Sequence, residues 1–144
     1  MKRVGLDLGE RYVGVAVHDD PDVPARPVET IDRRVARALI EALAAVVSRE
    51  GAAEVVIGLP LHMDGREGAS ARNARRVAEA LERRSSAKVV LWDERLTTTQ
   101  AQRNRVARGT RGREGIDAEA AALLLQSYVD AARGGSGWDP DAEP

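Results

Sequence analysis

Three short stretches of this 144-residue chain place carboxylates where a fold could put them to work: Asp7, the adjacent pair Asp93 and Glu94, and Asp117. In the run Arg3-Val4-Gly5-Leu6-Asp7-Leu8-Gly9, alternation puts Val4, Leu6 and Leu8 on one face and Gly5, Asp7 and Gly9 on the other. A carboxylate in the middle of a sheet is costly unless a cation or hydrogen-bond donors satisfy it. The flanking glycines leave room for a metal ion and a phosphate to approach, although an ion pair or a turn cap would use an Asp in the same place. Asp93 and Glu94 follow an apolar strand, and alternation sends them to opposite faces, so only one can point toward Asp7. They could equally begin a solvated loop. Asp117 suits a helix N-cap. A cap leaves unexplained the alanines at 118 and 120–122, which would let that helix end lie close against a sheet.

The composition narrows the chemistry. There is no cysteine, and only His18 and His62 could offer imidazole, so a metal would have to sit on oxygen ligands, which points to Mg²⁺ or Mn²⁺. Tyr12, Trp92, Tyr128 and Trp138 are the only aromatics, too few for a platform that stacks single-stranded bases. A formal net charge of −1 conceals strong polarity along the chain: residues 1–65 carry −3, residues 66–113 carry +8 and residues 114–144 carry −6. The middle third could therefore meet a polyanion. Arginine outnumbers lysine twenty to two, which phosphate recognition or codon bias would explain equally well.

The acids depend on the elements that carry them. Residues 2–8 and 12–18 read as strands joined by a tight turn at Gly9-Glu10, residues 21–27 as a proline-spaced loop, and residues 28–31 as a short third strand. Val35, Leu39, Ala42, Leu43 and Val46 recur at helical spacing over 33–48, with Asp32 as cap and Gly51 as stop. A buried strand over 54–58 leads into the loop 59–68. Ser70 caps a second helix whose apolar stripe is Ala74, Val77, Ala78 and Leu81. Another strand over 89–92 is followed by a helix over 97–107, a basic glycine-containing loop over 108–115 and a firm helix over 117–132. Residues 1–133 are expected to form one domain, and the acidic, turn-rich residues 134–144 a disordered tail. The order predicts an α/β fold: a mixed sheet with helices on both faces, its later strands parallel to the first. Their C-terminal ends then share one edge, where open α/β sheets place their sites.

Taken together, the segments carry a resemblance. Gly5-Leu6-Asp7-Leu8-Gly9 with Gly14-Val15-Ala16-Val17, then residues 58–68, then Asp93-Glu94-Arg95-Leu96-Thr97-Thr98, then Ile116-Asp117-Ala118 with Leu124-Leu125-Gln126, occur in an order that resembles the YqgF/RuvX family. That resemblance covers about residues 2–130. It implies an RNase H-like five-stranded sheet and the activity of a pre-16S rRNA nuclease or Holliday junction resolvase. It puts the family's catalytic acids on Asp7, Glu94 and Asp117, and implies two-metal phosphodiester hydrolysis with Mg²⁺ or Mn²⁺. Asp7 would bridge the ions while Glu94 and Asp117 each hold one. In such a sheet Glu94 must reach across roughly two strand spacings of about 4.8 Å, so Asp64 and Asp93 stand as reserve ligands. His62 occupies a position where the family commonly has Asn. His62 and Arg95 are substrate-binding candidates within the matched segments.

Arg105, Arg108, Arg111 and Arg113 lie among three glycines in a basic stretch that suits phosphate contacts. The partners expected are precursor rRNA, branched DNA or both. A homodimer is expected if junctions are resolved, because two like strands must then be nicked. Two other readings stay open: a binding protein of ribosome maturation whose acids are structural, and an ATPase with Asp7-Leu8-Gly9 as its phosphate loop. The latter needs two such domains, and this length has room for one. No apolar run approaches the roughly 18 residues of a membrane helix, and no secretory signal opens the chain. A cytoplasmic location is the expectation.

Overall fold

A computed structural model describes residues 1–35, 38–97 and 113–133, the last segment by backbone alone over 113–116. Five strands, β1 (Arg3–Leu8), β2 (Tyr12–His18), β3 (Arg26–Asp32), β4 (Glu54–Leu59) and β5 (Lys88–Asp93), form one sheet in the order β3-β2-β1-β4-β5. The meander β1–β2–β3 is antiparallel, whereas β4 and β5 run parallel to β1. This is the mixed sheet that the sequence predicts.

Alternation divides the core between the two faces. Val4, Leu6, Val13, Val15, Val17, Ile57 and Leu59 point to one side, where they meet α1 (Leu39–Glu50) and α2 (Ala69–Arg84). The predicted α2 stripe of Ala74, Val77, Ala78 and Leu81 is buried there. On the other side Ala16, Val56 and Trp92 meet Ala121, Ala122, Leu124, Leu125 and Val129 of α3 (Arg113–Arg133). Burying a Leu, Ile or Val contributes about 1.5–3 kcal/mol, so these two layers supply most of the drive to fold. Trp92 sits edge-on to Tyr128 at 5.5 Å, and its indole N–H donates to Ser127 Oγ at 3.3 Å. These contacts tie the end of β5 to α3.

Three helix starts differ from expectation, each for a local reason. Asp32 ends β3 and does not cap α1: its carboxylate pairs with Arg11 at 3.1 Å and accepts from the Arg34 N–H at 2.9 Å. Residues 33–35 turn instead, Val35 stands 77% exposed, and α1 begins only at Leu39. Gly51 does stop α1, in the left-handed conformation at φ 64°. Ser70 lies inside α2 and does not cap it; the capping position is Gly68, against which the His62 ring packs. α3 starts at Arg113, about one turn before Asp117, so Asp117 is not its cap and the loop 108–115 gives way to helix at 113. Likewise β3 begins at Arg26, taking the last two residues of the expected loop. The predicted helix over 97–107 (beyond Thr97), Arg105, Arg108, Arg111 and the tail 134–144 lie outside the described residues.

Gly14 sets how closely α3 approaches. A Cβ there would run into the backbone carbonyl of Asp117, which has no freedom to rotate away. Gly14→Ala should therefore displace the start of α3 and destabilise the chain by about 1–3 kcal/mol, the usual cost of overpacking. Urea unfolding measures this; an unchanged midpoint would show that Gly14 does not constrain the helix.

Candidate active site

Asp7 sits near the C-terminal end of β1 on the α3 face, directly opposite Gly14 of β2 in the antiparallel register. Asp117 comes down onto the same spot from α3, because its backbone lies against Gly14. Glu94 approaches from the far side. It opens the 3₁₀ turn Glu94–Leu96, two residues past Trp92, and so shares the α3 face with that anchored indole. Between β5 and β1 lies β4, whose residue at that height is Gly58, the register partner of Trp92. A Cβ on Gly58 would collide with the Glu94 carboxylate. The Glu94 side chain thus crosses β4 over bare backbone and hydrogen-bonds Asp7. That is how one glutamate spans two strand spacings.

The three acids are electrostatically strained together. Burial raises Asp7, and the Asp117 charge raises it further, while the hydrogen bond with Glu94 works the other way. Burial, the Asp7 charge, the hydrogen bond to Asp7 and the more distant Asp93 push Glu94 up to about 8. Asp7 and Glu94 are both raised, so the hydrogen-bonded pair holds a proton between them. Asp117 Oδ2 is buried without a hydrogen-bond partner among the described residues. Half-buried carboxyls that share a proton, beside a buried and unsatisfied carboxylate oxygen, are a donor set that a hard divalent cation would satisfy. Among the described residues no three such side chains stand ready in ligating geometry. In this arrangement Glu94 is hydrogen-bonded to Asp7.

The remaining candidates are placed around this centre. Asp93 is 1% exposed and faces away from it, holding Arg95 through Nε at 3.1 Å and Nη2 at 2.7 Å and accepting from the Arg95 N–H at 2.9 Å. The same guanidinium donates to the carbonyls of His62 and Met63 at 3.4 and 3.3 Å, so Asp93 and Arg95 fasten the loop after β4 beside Glu94. Asp64 is an exposed partner of Arg66 at 2.6 Å, and hydrogen bonds from Arg66 hold its carboxyl below the usual range. Arg113 is placed by its backbone at the start of α3. Sequence reasoning assigned no part to Gly14, Gly58 or the Asp93–Arg95 clamp. The glycines carried a signal: a glycine within a buried, β-branched strand marks a close approach by something else.

By sequence, the chain matches the family described as "RuvX: Holliday junction resolvase" over residues 1–131. A protein of Anaeromyxobacter sp. (strain Fw109-5) named "Putative pre-16S rRNA nuclease" is 43% identical over 133 residues, covering 90% of this chain and 97% of that protein. One of the same name from Myxococcus xanthus is 43% identical over 137 residues, covering 92% and 90%. Among solved structures, T. thermophilus RuvC in complex with a Holliday junction substrate superposes with a TM-score of 0.65 at 14% identity, over 94% of this chain and 97% of that one. The fowlpox virus Holliday junction resolvase gives 0.57 at 12% identity, over 91% and 99%. At those identities the likeness is one of fold, and it is the RNase H-like fold.

The shared proton has a consequence for stability. A group raised in the folded state stabilises it fully below its unfolded value, and that contribution is lost as pH rises through the folded value. For Glu94 the loss runs from 4.5 to about 8. Burial lowers His18 from 6.5, an opposing effect that is complete by that pH, and the lowered Asp19, Asp32, Glu50 and Asp64 act lower still. Between about pH 6.5 and 8.5, in chelator, the thermal midpoint should fall as pH rises. Glu94→Gln should flatten that slope; a variant that keeps it would contradict the shared proton.

Proposed function

Since the chain belongs to the RuvX family, we propose that it is a metal-dependent nuclease that hydrolyses phosphodiester bonds in structured nucleic acid at Asp7, Glu94 and Asp117. The observation that carries this reading is the passage of Glu94 over Gly58 onto Asp7, beside the unpartnered oxygen of Asp117. A structural role alone gives no reason to gather three half-buried acids with one oxygen buried and unsatisfied. Asp7 would be shared between two Mg²⁺ or Mn²⁺ ions, with Glu94 and Asp117 each holding one. Such ions supply activation of the attacking water and neutralisation of the leaving oxygen. To hold such an ion the Asp7–Glu94 pair would have to be deprotonated, which rising pH favours. Asp93 and Asp64 remain outside the ligand set because Arg95 and Arg66 already occupy them. Arg105, Arg108, Arg111 and Arg113 contact flanking phosphates in this reading, and His62 contacts substrate from the clamped loop.

The names of the relatives that match along nearly their whole length support a 16S rRNA precursor as substrate, and a nuclease with that substrate would work in the cytoplasm. Among the described residues no helix is long and apolar enough to cross a membrane. The family's own description supports a second reading, cleavage of four-way DNA junctions. Resolution requires two equivalent nicks, so that reading predicts a twofold dimer at the working concentration.

A cleavage panel tests both. Precursor rRNA, a four-way junction and plain duplex are each incubated with Mg²⁺ and Mn²⁺. Asp7→Asn keeps the shape but removes a ligand, and should lower cleavage at least about a hundredfold, the scale of losing one essential transition-state group. Substrate affinity should stay within about threefold, since phosphate contacts elsewhere carry it. A variant that cuts at the wild-type rate would refute the assignment.

A further inference from the structure

On the face of the sheet away from the acids, α1 and α2 leave a groove of about 490 Å³ between them. Leu39 and Val77 form part of its floor, and Arg33, Arg76 and Arg84 stand along its walls. Among the described residues the only acid on that lining is Glu41, and Arg84 neutralises it at 3.1 Å in a pair whose side chains are 55% and 67% exposed. Pairs so exposed are worth little and yield readily to a stronger anion. Arg76 is exposed and makes no ion pair among the described residues. The groove is also joined to the edge that carries the acids. Arg33 donates to the carbonyl of Gly9 at 2.7 Å, and Gly9 lies two residues beyond Asp7 at the end of β1. Both α1 and α2 begin at that same edge, since they follow β3 and β4 as these strands run parallel to β1.

We infer that this groove takes the sugar-phosphate backbone of a second arm of the nucleic acid cut at Asp7, Glu94 and Asp117. The inference rests on the nuclease reading for the identity of the ligand. The two guanidinium groups of the α2 wall, Arg76 and Arg84, suit a chain of phosphates, and Arg33 forms the step from the turn after Asp7 into the groove. A substrate confined to the acid site would not reach Arg76 or Arg84. An arm passing over the Gly9 turn to the opposite face would. The structure therefore favours branched or folded substrates over short linear ones for a reason separate from the acids themselves.

The test is binding in chelator, where turnover is blocked, with two probes: a four-way junction with long arms and a short duplex that covers only the acid site. For the junction, Arg76→Ala combined with Arg84→Ala should reduce the log–log salt slope by about 0.9 for each phosphate the protein no longer neutralises. Binding of the short duplex should not change. Asn73→Lys, on the same lining, should steepen the junction slope, which guards against a weakening caused by misfolding. Equal slopes in all chains on the junction overturn the inference, as does an equal weakening on the short duplex. If no substrate is cleaved under any metal condition while the junction slope still responds, the groove stands and the nuclease reading falls.

Discussion

Between the strand that delivers Glu94 and the strand that carries Asp7 lies β4, and a carboxylate starting from β5 can reach Asp7 only across the backbone of that intervening strand. Gly58 permits the crossing, because any Cβ there would occupy the space of the Glu94 carboxylate. Gly14 does the corresponding service on the other flank, where it lets the Asp117 backbone settle onto β2. The site is thus bounded by two missing side chains. Everything else on that face serves to keep the three acids from moving apart: Trp92 held by Ser127 and Tyr128, the alanines of α3 pressed on the sheet, and the Asp93–Arg95 clamp beside Glu94.

Bringing these acids together is unfavourable unless something compensates. Burial and the neighbouring carboxylates raise both Asp7 and Glu94, so a proton held between the two supplies that compensation. Asp117 keeps an oxygen that nothing among the described residues satisfies. The raised carboxyls follow from burial and from the acids' mutual charge, and under the proposed nuclease reading a divalent cation would relieve that repulsion. If the site takes a cation as proposed, stability and cation loading would oppose each other over the same pH range, since raising the pH destabilises the bare site and deprotonates its carboxyls.

The fold was legible where one period dominates. The alternation of β1 placed Asp7 opposite the Val4 and Leu6 face, the α2 stripe fell on its buried positions, and Gly51 ended α1 as a left-handed glycine should. The opposite-face argument for Asp93 and Glu94 also agrees with their final directions. Illegible features are those decided by partners distant in sequence. Asp32 looks like a helix cap until Arg11, twenty-one residues away, claims its carboxylate across the hairpin. Ser70 looks like another until His62 packs on Gly68 and the helix starts there. Gly58 and Gly14 show their meaning only when the strand order and the seat of α3 are known. The Asp93–Arg95 clamp joins neighbours, yet its purpose lies in the carbonyls of His62 and Met63 on another loop.

In the proposed function a divalent cation replaces the proton held between Glu94 and Asp7. Calorimetric titration of Mn²⁺ at about pH 7, repeated in buffers of different ionisation enthalpy, counts the protons displaced on binding. Release of about one proton is expected for each chain loaded, and almost none from Glu94→Gln even where that variant still binds the ion. Mn²⁺ binding with no proton release in the unaltered chain would contradict it.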